Sequence, residues 1–303
     1  MTRETLLRRL ERPAGRVRAV LDTDAYNEID DQFAIAYFIK KPEKFDVLAL
    51  TAAPFSNEKS STPGEGMHLS YDEILKILRL MGRDDMADRV FAGSETYLPD
   101  ERTPVESPAA RELVRLSNLG GPDDPLYIIA IGAITNVASA LLLDTSLAER
   151  CVIVWLGGNA RHWADTREFN MSQDVAAARV VFDSGAPVIQ LPCMGVVSEL
   201  KTTGPELEFW LRGRNELCDY LVDNTINEVA SYAGGMAWSR VIWDVSAIAW
   251  FLDDSFMSGR IVPSPVCGYD HFYSFDETRH PHFLTDAVNR DAIFTDLFKT
   301  LAL

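Results

Sequence analysis

The sequence is poor in cysteine and has no long apolar run. Its four cysteines, Cys151, Cys193, Cys218 and Cys267, are far apart and form no Cys-x-x-Cys pair. We therefore do not expect a zinc site or a redox dithiol, and we expect the protein to lie in the reducing compartment of the cytoplasm. No stretch is long and apolar enough to cross a bilayer, and the first residues lack the apolar core of a signal peptide. We therefore expect no membrane association.

Basic residues are also scarce relative to acidic ones. Lys and Arg total 29 against 45 Asp and Glu, which gives a formal net charge of −16. An acidic surface repels phosphate backbones and anionic lipids, which argues against nucleic-acid binding and membrane binding. Small neutral substrates and divalent cations remain as partners. The 303 residues, of which 47% are hydrophobic, suffice for one large α/β domain with a substantial core.

Short runs of Val, Ile and Leu alternate with longer segments of helical periodicity. The apolar runs predict strands over residues 17–21, 45–52, 89–92, 126–131, 151–156 and 188–191. The segments between them predict helices over 30–40, 71–81, 108–116, 134–143 and 175–183. After residue 200 we expect helices over 206–215, 217–232, 244–251 and 290–301, with a short strand at 260–262. Strands without polar alternation, each followed by a helix, indicate a parallel sheet covered on both faces.

The chain contains no repeat, low-complexity tract or Pro/Gly linker that would divide it. We therefore predict an α/β fold: a single domain with a mainly parallel, Rossmann-like central sheet flanked by helices, and a more helical C-terminal part. Residues 1–15 are predicted to be an N-terminal extension, as a short surface helix or a frayed end, before a domain of residues 16–303. In such sheets, ligands bind beyond the carboxyl ends of the strands.

The loop after the first predicted strand is crowded with carboxylates. Residues 22–31 read Asp-Thr-Asp-Ala-Tyr-Asn-Glu-Ile-Asp-Asp and carry five of them. Like charges this close cost stability unless a cation compensates them, and oxygen ligands favour a hard ion such as Ca²⁺ or Mg²⁺. The alternative is helix capping, in which Asp30 and Asp31 merely favour the helix dipole. Capping leaves the pair formed by Asp22 and Asp24 unexplained.

This loop resembles the N-terminal fingerprint of the nucleoside hydrolases of the inosine–uridine-preferring type. Three later segments resemble the family in the same order: Ile-Gly-Ala-Ile-Thr-Asn at 131–136, Leu-Gly-Gly at 156–158 with Glu-Phe-Asn at 168–170, and Trp243-Asp244. The resemblance covers about residues 17–300. It implies hydrolysis of the N-glycosidic bond of ribonucleosides to free base and ribose, by a homo-oligomer (dimer or tetramer).

The resemblance also implies a Ca²⁺ ion and its ligands. In this sequence the ligands correspond to Asp24, Asp31, Asp244 and the backbone carbonyl of Ile131. Asp24 is in addition the implied catalytic residue, a general base that activates a metal-bound water.

Other matched residues are implied to hold the substrate. Asp30 and Asn170 would bind the ribose hydroxyls, and Glu168 the 5′ side of the sugar. Asp22 would support the ligands from behind. Taken singly, Asn170 could equally be a turn or capping residue, and Asp244 a helix cap.

Several positions depart from the family pattern. Trp243 replaces a His of many members and resembles the purine-preferring branch, in which an aromatic ring stacks on the base; the alternative is an ordinary core Trp. His162 lies near a sugar-contacting Asn and could bind the base, act as an acid or be a surface residue. Asn57, or Ser56, approximates another sugar-binding Asn. The spacer of residues 25–29 is about two residues longer than in the family.

Two further segments carry weaker signals. Residues 57–70, which contain Pro63, Gly64 and Gly66, have the composition of a lid. His280 and His282 flank a proline in what we predict to be an exposed turn rather than a metal site.

Two other functions stay open at this stage. A Mg²⁺-dependent phosphatase with Asp22 as nucleophile and Asp24 as acid/base would need a Lys and a later acidic pair, for which the sequence offers no convincing set. A non-catalytic nucleoside- or sugar-binding relative would keep the fold and the ion. The retention of Asp24 argues against that reading.

Overall fold

A computed structural model describes residues 1–121 and 123–303 of the chain. Its strands are β1 (Val17–Thr23), β2 (Phe45–Ala52), β3 (Val90–Phe91), β4 (Leu126–Ala130), β5 (Cys151–Leu156), β6 (Val188–Leu191), β7 (Lys201–Thr202), β8 (Arg240–Val241), β9 (Met257–Pro263), β10 (Val266–Cys267), β11 (Tyr273–Ser274) and β12 (Pro281–Val288). Its α-helices are α1 (Arg3–Arg9), α2 (Asp30–Ile39), α3 (Pro63–Leu80), α4 (Pro108–Ser117), α5 (Thr135–Leu143), α6 (Phe169–Gln173), α7 (Val175–Asp183), α8 (Gly204–Leu211), α9 (Glu216–Ala233), α10 (Val245–Ala249) and α11 (Arg290–Leu301).

The central sheet is mainly parallel. Within the described residues it has eight strands in the order β3-β2-β1-β4-β5-β6-β12-β9. Neighbouring strands from β3 to β12 pair in parallel, and β9 pairs antiparallel with β12 at the edge. The predicted fold class, a single α/β domain with a mainly parallel sheet, is confirmed.

Each face of the sheet has its own apolar core. Successive residues of a strand point to opposite faces, so Val152 and Val154 of β5 pack into one core, while Ile153 and Trp155 pack into the other. Helices α2, α10 and α11 contribute to the first core, and α4, α5 and α7 to the second. Because both faces are covered, the strands read as continuous apolar runs in the sequence.

Strand β12 was missed by the sequence pattern. It lies between β6 and β9, and His282, predicted to be in an exposed turn, is fully buried within it. The ring nitrogen Nε2 of His282 lies 3.3 Å from Gln190 Oε1 on β6. The exposed-turn prediction is wrong because the partners that bury this histidine are distant in sequence.

The predicted lid is wrong from residue 63 onward. Helix α3 begins there, with Thr62 as N-cap accepting a hydrogen bond from the backbone N–H of Glu65 at 3.1 Å. At Gly66 a Cβ atom would lie 2.0 Å from the carbonyl oxygen of Phe55. Gly66 therefore allows α3 to pack closely against the loop that contains Phe55, whereas the composition of residues 57–70 had suggested a mobile lid.

Residues near the N-terminus form helix α1. Leu10, directly after this helix, is 1% exposed and belongs to the first core. The division into residues 1–15 and 16–303 stays a prediction. None of the helices in the described part of the chain combines the length and the hydropathy that crossing a membrane requires.

Candidate active site

A cavity of about 230 Å³ opens at the carboxyl ends of the central strands. Asp24 follows β1, Ile131 follows β4, Leu156 ends β5 and Cys193 lies just after β6, and all four line the cavity. Neighbouring parallel strands end at the same edge of the sheet, which brings these loops together. The predicted site residues that line the cavity are Asp24, Asp30, Asp31, Ile131, Glu168, Asn170, Trp243 and Asp244.

Three buried aspartates form a compact group in this cavity. One carboxylate oxygen from each of Asp30, Asp31 and Asp244 lies within 4.8 Å of the others. The Oδ2 atom of Asp30 accepts hydrogen bonds from the backbone N–H of Trp243 at 3.0 Å and of Asp244 at 3.3 Å. Oδ1 of Asp31 accepts one from the hydroxyl of Thr23. The hydrogen bonds of Asp30 therefore join the first turn of α2 to the start of α10.

Asp24 lies beside this group. It is 1% exposed, and its Oδ2 atom has no hydrogen-bond partner among the described residues. A Cβ atom on Gly132 would come within 2.9 Å of Asp24 Oδ1, so the absence of a side chain there makes room for the carboxylate. The compact group therefore contains Asp30, predicted as a sugar ligand, whereas Asp24, predicted as a metal ligand, adjoins it.

The electrostatics of the four carboxylates favour a cation. Burial raises the pKa of Asp24, Asp30, Asp31 and Asp244 above the ordinary range. The charge of Asp31 raises the pKa of Asp24 further, and the charge of Asp30 that of Asp244. Buried carboxylates that repel one another are stabilised in the ionised form by a positive ion. All the atoms that these side chains offer as metal ligands are oxygens, which hard divalent ions prefer. The orphaned Oδ2 of Asp24 also suits a ligand, so the residues present fit a hard divalent ion.

Asp22 is fixed behind the site. Its Oδ1 atom accepts hydrogen bonds from the Thr51 hydroxyl at 2.6 Å and from Asn136 Nδ2 at 2.8 Å. Burial raises the pKa of Asp22 to about 6. Asn136 Oδ1 in turn accepts from the backbone N–H of Ser94 at 2.8 Å, so this asparagine of α5 links β1 to the loop after β3.

Glu168 and Asn170 are held by backbone groups. The carboxylate of Glu168 accepts from the backbone N–H of Gly158 at 2.7 Å and of Asn170 at 2.7 Å, and burial raises its pKa. Asn170 Nδ2 donates to the carbonyl oxygens of Ile131 at 3.2 Å and Leu156 at 3.0 Å. Asn170 is therefore not a helix cap, and it ties the carboxyl ends of β4 and β5 together.

Helix capping does not account for Asp244. The residue is the N-cap of α10, yet its side chain makes no capping hydrogen bond. The carboxylate instead belongs to the three-aspartate group. Its neighbour Trp243 is half-buried, packs against the first core and lines the cavity.

Asn57 and His162 lie outside the cavity lining. The side chain of Asn57 is engaged by another asparagine, because its Nδ2 donates to Asn27 Oδ1 at 2.8 Å. His162 is exposed and lies over Gly195, where a Cβ atom would meet its Nε2 at 2.9 Å. The structure does not bring these two predicted site residues into the cavity lining, and their roles in substrate binding stay predictions.

Seven residues that sequence reasoning had not assigned to the site also line the cavity. They are Asn27, Glu28, Leu156, Arg167, Phe169, Cys193 and Met194. Two signals pointed to some of them. The long spacer after Asp24 contains the first two, and the last two follow a predicted strand at its carboxyl end.

Arg240 tethers the segment that precedes Trp243. Its guanidinium donates to Glu28 Oε2 at 2.5 Å and forms an ion pair with Glu228 at 3.2 Å. The Arg240 charge lowers the pKa of Asp30, against the larger raising effects of burial and of Glu28. No sequence pattern pointed to this contact, because its partners are more than 200 residues apart.

Comparisons with known proteins give a consistent result. Residues 19–282 match the family model described as "Inosine-uridine preferring nucleoside hydrolase". The chain is 27% identical over 251 residues to the pyrimidine-specific ribonucleoside hydrolase RihA of Citrobacter koseri, covering 74% of this chain and 76% of that protein. It is 31% identical over 191 residues to RihA of Enterobacter sp. strain 638, covering 56% of this chain and 58% of that protein.

Solved structures share the fold. A plant nucleoside hydrolase superposes with a TM-score of 0.74 at 21% identity, covering 96% of this chain and 99% of that one. A purine-preferring ribonucleoside hydrolase from Gardnerella vaginalis has a TM-score of 0.72 at 18% identity, covering 94% of this chain and 98% of that one. At these identities the likeness concerns the architecture alone.

Proposed function

This chain belongs to the inosine-uridine preferring nucleoside hydrolase family and is a hydrolase of N-glycosyl bonds, and we propose that it cleaves ribonucleosides, with a leaning to purines, into free base and ribose. The observation that carries the proposal is the meeting of Asp24, Asp30 and Asp31 with the distant pair Trp243 and Asp244 in one cavity. Carboxylates and an aromatic ring suit a sugar diol and a flat base respectively.

We propose Ca²⁺ as the ion, with Asp24, Asp31, Asp244 and the carbonyl oxygen of Ile131 as the residues that would hold it. The oxygen-only donor set and the unpartnered Oδ2 of Asp24 support this assignment. When bound, such an ion supplies positive charge that can hold vicinal hydroxyls and lower the pKa of a water molecule.

Asp24 is proposed as the general base. Its unpartnered Oδ2 can accept the proton of the attacking water as the water oxygen bonds to C1′. The bond from C1′ to the base nitrogen breaks ahead of and during this attack, and the base leaves with the bonding electrons and takes a proton from solvent water. The surrounding carboxylates stabilise the positive charge that develops on the sugar in the transition state.

The sugar is proposed to be oriented by Asp30, Asn170 and Glu168. All three line the cavity, and backbone hydrogen bonds fix Asp30 and Glu168 before substrate arrives. A preorganised site of this kind does not spend binding energy on ordering its own side chains.

The ring of Trp243 supports the purine leaning. It lines the cavity at the start of α10, and base–aromatic stacking contributes about 1–3 kcal/mol per base. The larger π-face of a purine gains more from such stacking. The RihA relatives are named pyrimidine-specific and the Gardnerella vaginalis protein purine-preferring, and the comparison of inosine with uridine tests which preference this chain has.

The phosphatase alternative has no support in the site. No lysine is among the described residues that line the cavity. A non-catalytic binder remains the second hypothesis to be tested. A cytoplasmic location and a homo-oligomeric state are retained as proposals; the four cysteines are free and buried, which agrees with a reducing compartment.

One experiment tests the function directly. The protein is incubated with inosine, uridine, other nucleosides and p-nitrophenyl riboside, and reducing sugar is measured with and without chelator. We expect ribose release that is lost with chelator and restored by Ca²⁺. Nucleoside binding without turnover would support the non-catalytic hypothesis, and phosphate release from a generic phosphoester would support the phosphatase.

A further inference from the structure

The long spacer after Asp24 places an asparagine in the cavity. Asn27 is 7% exposed and lines the cavity next to the carboxylates. Its backbone N–H donates to the carbonyl oxygen of Asp24 at 2.7 Å, and its own carbonyl oxygen accepts from Lys59 Nζ at 2.6 Å. The backbone of Asn27 is thus held on both sides.

Neighbouring hydrogen bonds fix the orientation of the Asn27 amide. The backbone N–H of Lys59 donates to Asn57 Oδ1 at 2.7 Å, so Asn57 must turn its Nδ2 toward Asn27. That Nδ2 needs an acceptor, and at 2.8 Å it meets Asn27 Oδ1. The Nδ2 atom of Asn27 is left over, and it has no hydrogen-bond partner among the described residues.

The rest of the cavity is rich in acceptors, and its other side chains with N–H donors are Arg167, Asn170 and Trp243. The carboxylates of Asp24, Asp30, Asp31 and Asp244 accept hydrogen bonds when ionised and do not donate. Asn170 has already used Nδ2 on two carbonyl oxygens. A sugar hydroxyl that gives its proton to a carboxylate keeps lone pairs that need a donor, and Asn27 Nδ2 offers one.

We propose that Asn27 is a substrate-binding residue whose Nδ2 donates to a hydroxyl oxygen of the ribose. The inference rests on the proposed function and extends it to a residue that lies in the unusual spacer. Asn57 then acts as a positioning residue: it orients the Asn27 amide and does not touch the substrate. A base carbonyl is the competing acceptor.

The test pairs enzyme variants with deoxy substrates. Wild type, Asn27→Ala, Asn27→Asp and Asn57→Ala are compared on a ribonucleoside and on its 2′-, 3′- and 5′-deoxy forms. We expect Asn27→Ala to lower kcat/KM on the ribonucleoside about tenfold, the loss that one hydrogen bond of about 1–1.5 kcal/mol produces. With the deoxy form that lacks the acceptor hydroxyl, the loss should shrink to about one- to twofold. Asn57→Ala should show the same substrate pattern with a smaller loss.

The controls separate this inference from simpler effects. Asn118→Ala removes an exposed asparagine that bonds only within its own helix and should leave all four rates unchanged. A loss with Asn27→Ala that is equal on every substrate overturns the proposal, because it indicates donation to the base or a structural role. Asn27→Asp, which keeps the shape and the acceptor for Asn57, should lose at least as much as Asn27→Ala; full activity in that variant also overturns it.

Failure of the proposed function remains distinguishable. If wild type turns over none of the nucleosides, the proposed function is refuted. The proposed contact of Asn27 is then tested by the Kd values of wild type and Asn27→Ala for the same four nucleosides. A selective weakening, of about tenfold and absent for one deoxy form, would uphold the contact. Equal Kd values in wild type and Asn27→Ala, or no binding at all, would refute it.

Discussion

The carboxylate of Asp30 accepts a hydrogen bond from the backbone N–H of Asp244, 3.3 Å away and 214 positions later in the chain. The same oxygen accepts from the N–H of Trp243 at 3.0 Å. Through these bonds the first turn of α2 sets where α10 begins, and the last aspartate of the cluster is placed against the first ones. The site therefore forms only when both ends of the domain are folded together.

Asp24→Asn should lower kcat by about two to four orders of magnitude, because it removes the proposed general base and the charge of a proposed metal ligand. The amide has the same shape, so the fold should persist. Base release and the thermal midpoint are measured together, with the exposed Asp72→Asn as the control. Near-normal turnover in Asp24→Asn would refute its role.

Ca²⁺ should stabilise the folded protein against heat. At a free concentration of 100 times Kd the gain is about 2.7 kcal/mol, and chelator should remove it together with activity. In Asp244→Asn the rise of the thermal midpoint with Ca²⁺ should shrink sharply, because the compact group loses a charge. A Ca²⁺ response equal to that of wild type would contradict the assignment of this ligand.

Trp243→Ala should reduce kcat/KM more for inosine than for uridine, because a purine loses more stacking area. We expect the inosine-to-uridine ratio to fall about tenfold. Trp210→Ala is the matched control, since Trp210 stacks on Phe298 away from the cavity and should change stability without changing the ratio. Equal losses on both nucleosides in Trp243→Ala would exclude purine stacking.

Gly132→Ala should impair catalysis more than folding. The new Cβ atom would lie 2.9 Å from Asp24 Oδ1 and 3.0 Å from the Cβ of Ala53, so the carboxylate must shift. Misplacement of a catalytic group by about 1 Å can cost about 100-fold in rate. Gly15→Ala, which meets nothing within 4 Å, should be neutral in both kcat and denaturant unfolding. Full activity in Gly132→Ala would show that the contact is relieved elsewhere.

The buried His282 should make the protein less stable as the pH falls. Burial holds the pKa of His282 at about 3, below the ordinary 6.5. Above pH 6.5 the ring is neutral in both states and the free energy of unfolding is unaffected. Between about 6.5 and 3 the unfolded chain binds a proton that the folded protein excludes, which costs about 1.4 kcal/mol per pH unit.

His282→Gln should therefore flatten this dependence. Denaturant unfolding at several pH values between 6.5 and 4.5 should show a loss that is shallower in the variant by about 1.4 kcal/mol per unit. The contribution of the aspartate cluster cancels because wild type and variant share it. His68→Gln, at an exposed position, should follow the wild-type curve, and parallel curves for His282→Gln would disprove the prediction.

Periodicity and apolar runs sufficed to predict most of the sheet. Strands β1, β2 and β4–β6 read as continuous Val, Ile and Leu because each is covered on both faces, and this is a local property of the sequence. Strand β12 could not be predicted in this way. It lies near the edge with alternating burial, and its His282 is buried by partners that only the tertiary structure supplies.

For the site, the sequence alone determined which residue types are present. It also determined that the crowded acids at the end of β1 and after it need a positive partner, because the local density of acidic residues can be read directly from the sequence. It could not determine the distances among them. Where Asp244 meets Asp30, why Asn57 holds Asn27 and does not reach the cavity, and where Arg240 pairs with Glu28 were decided by folding. Contacts between segments up to 214 residues apart depend on the packing of whole helices and strands, which no local pattern encodes.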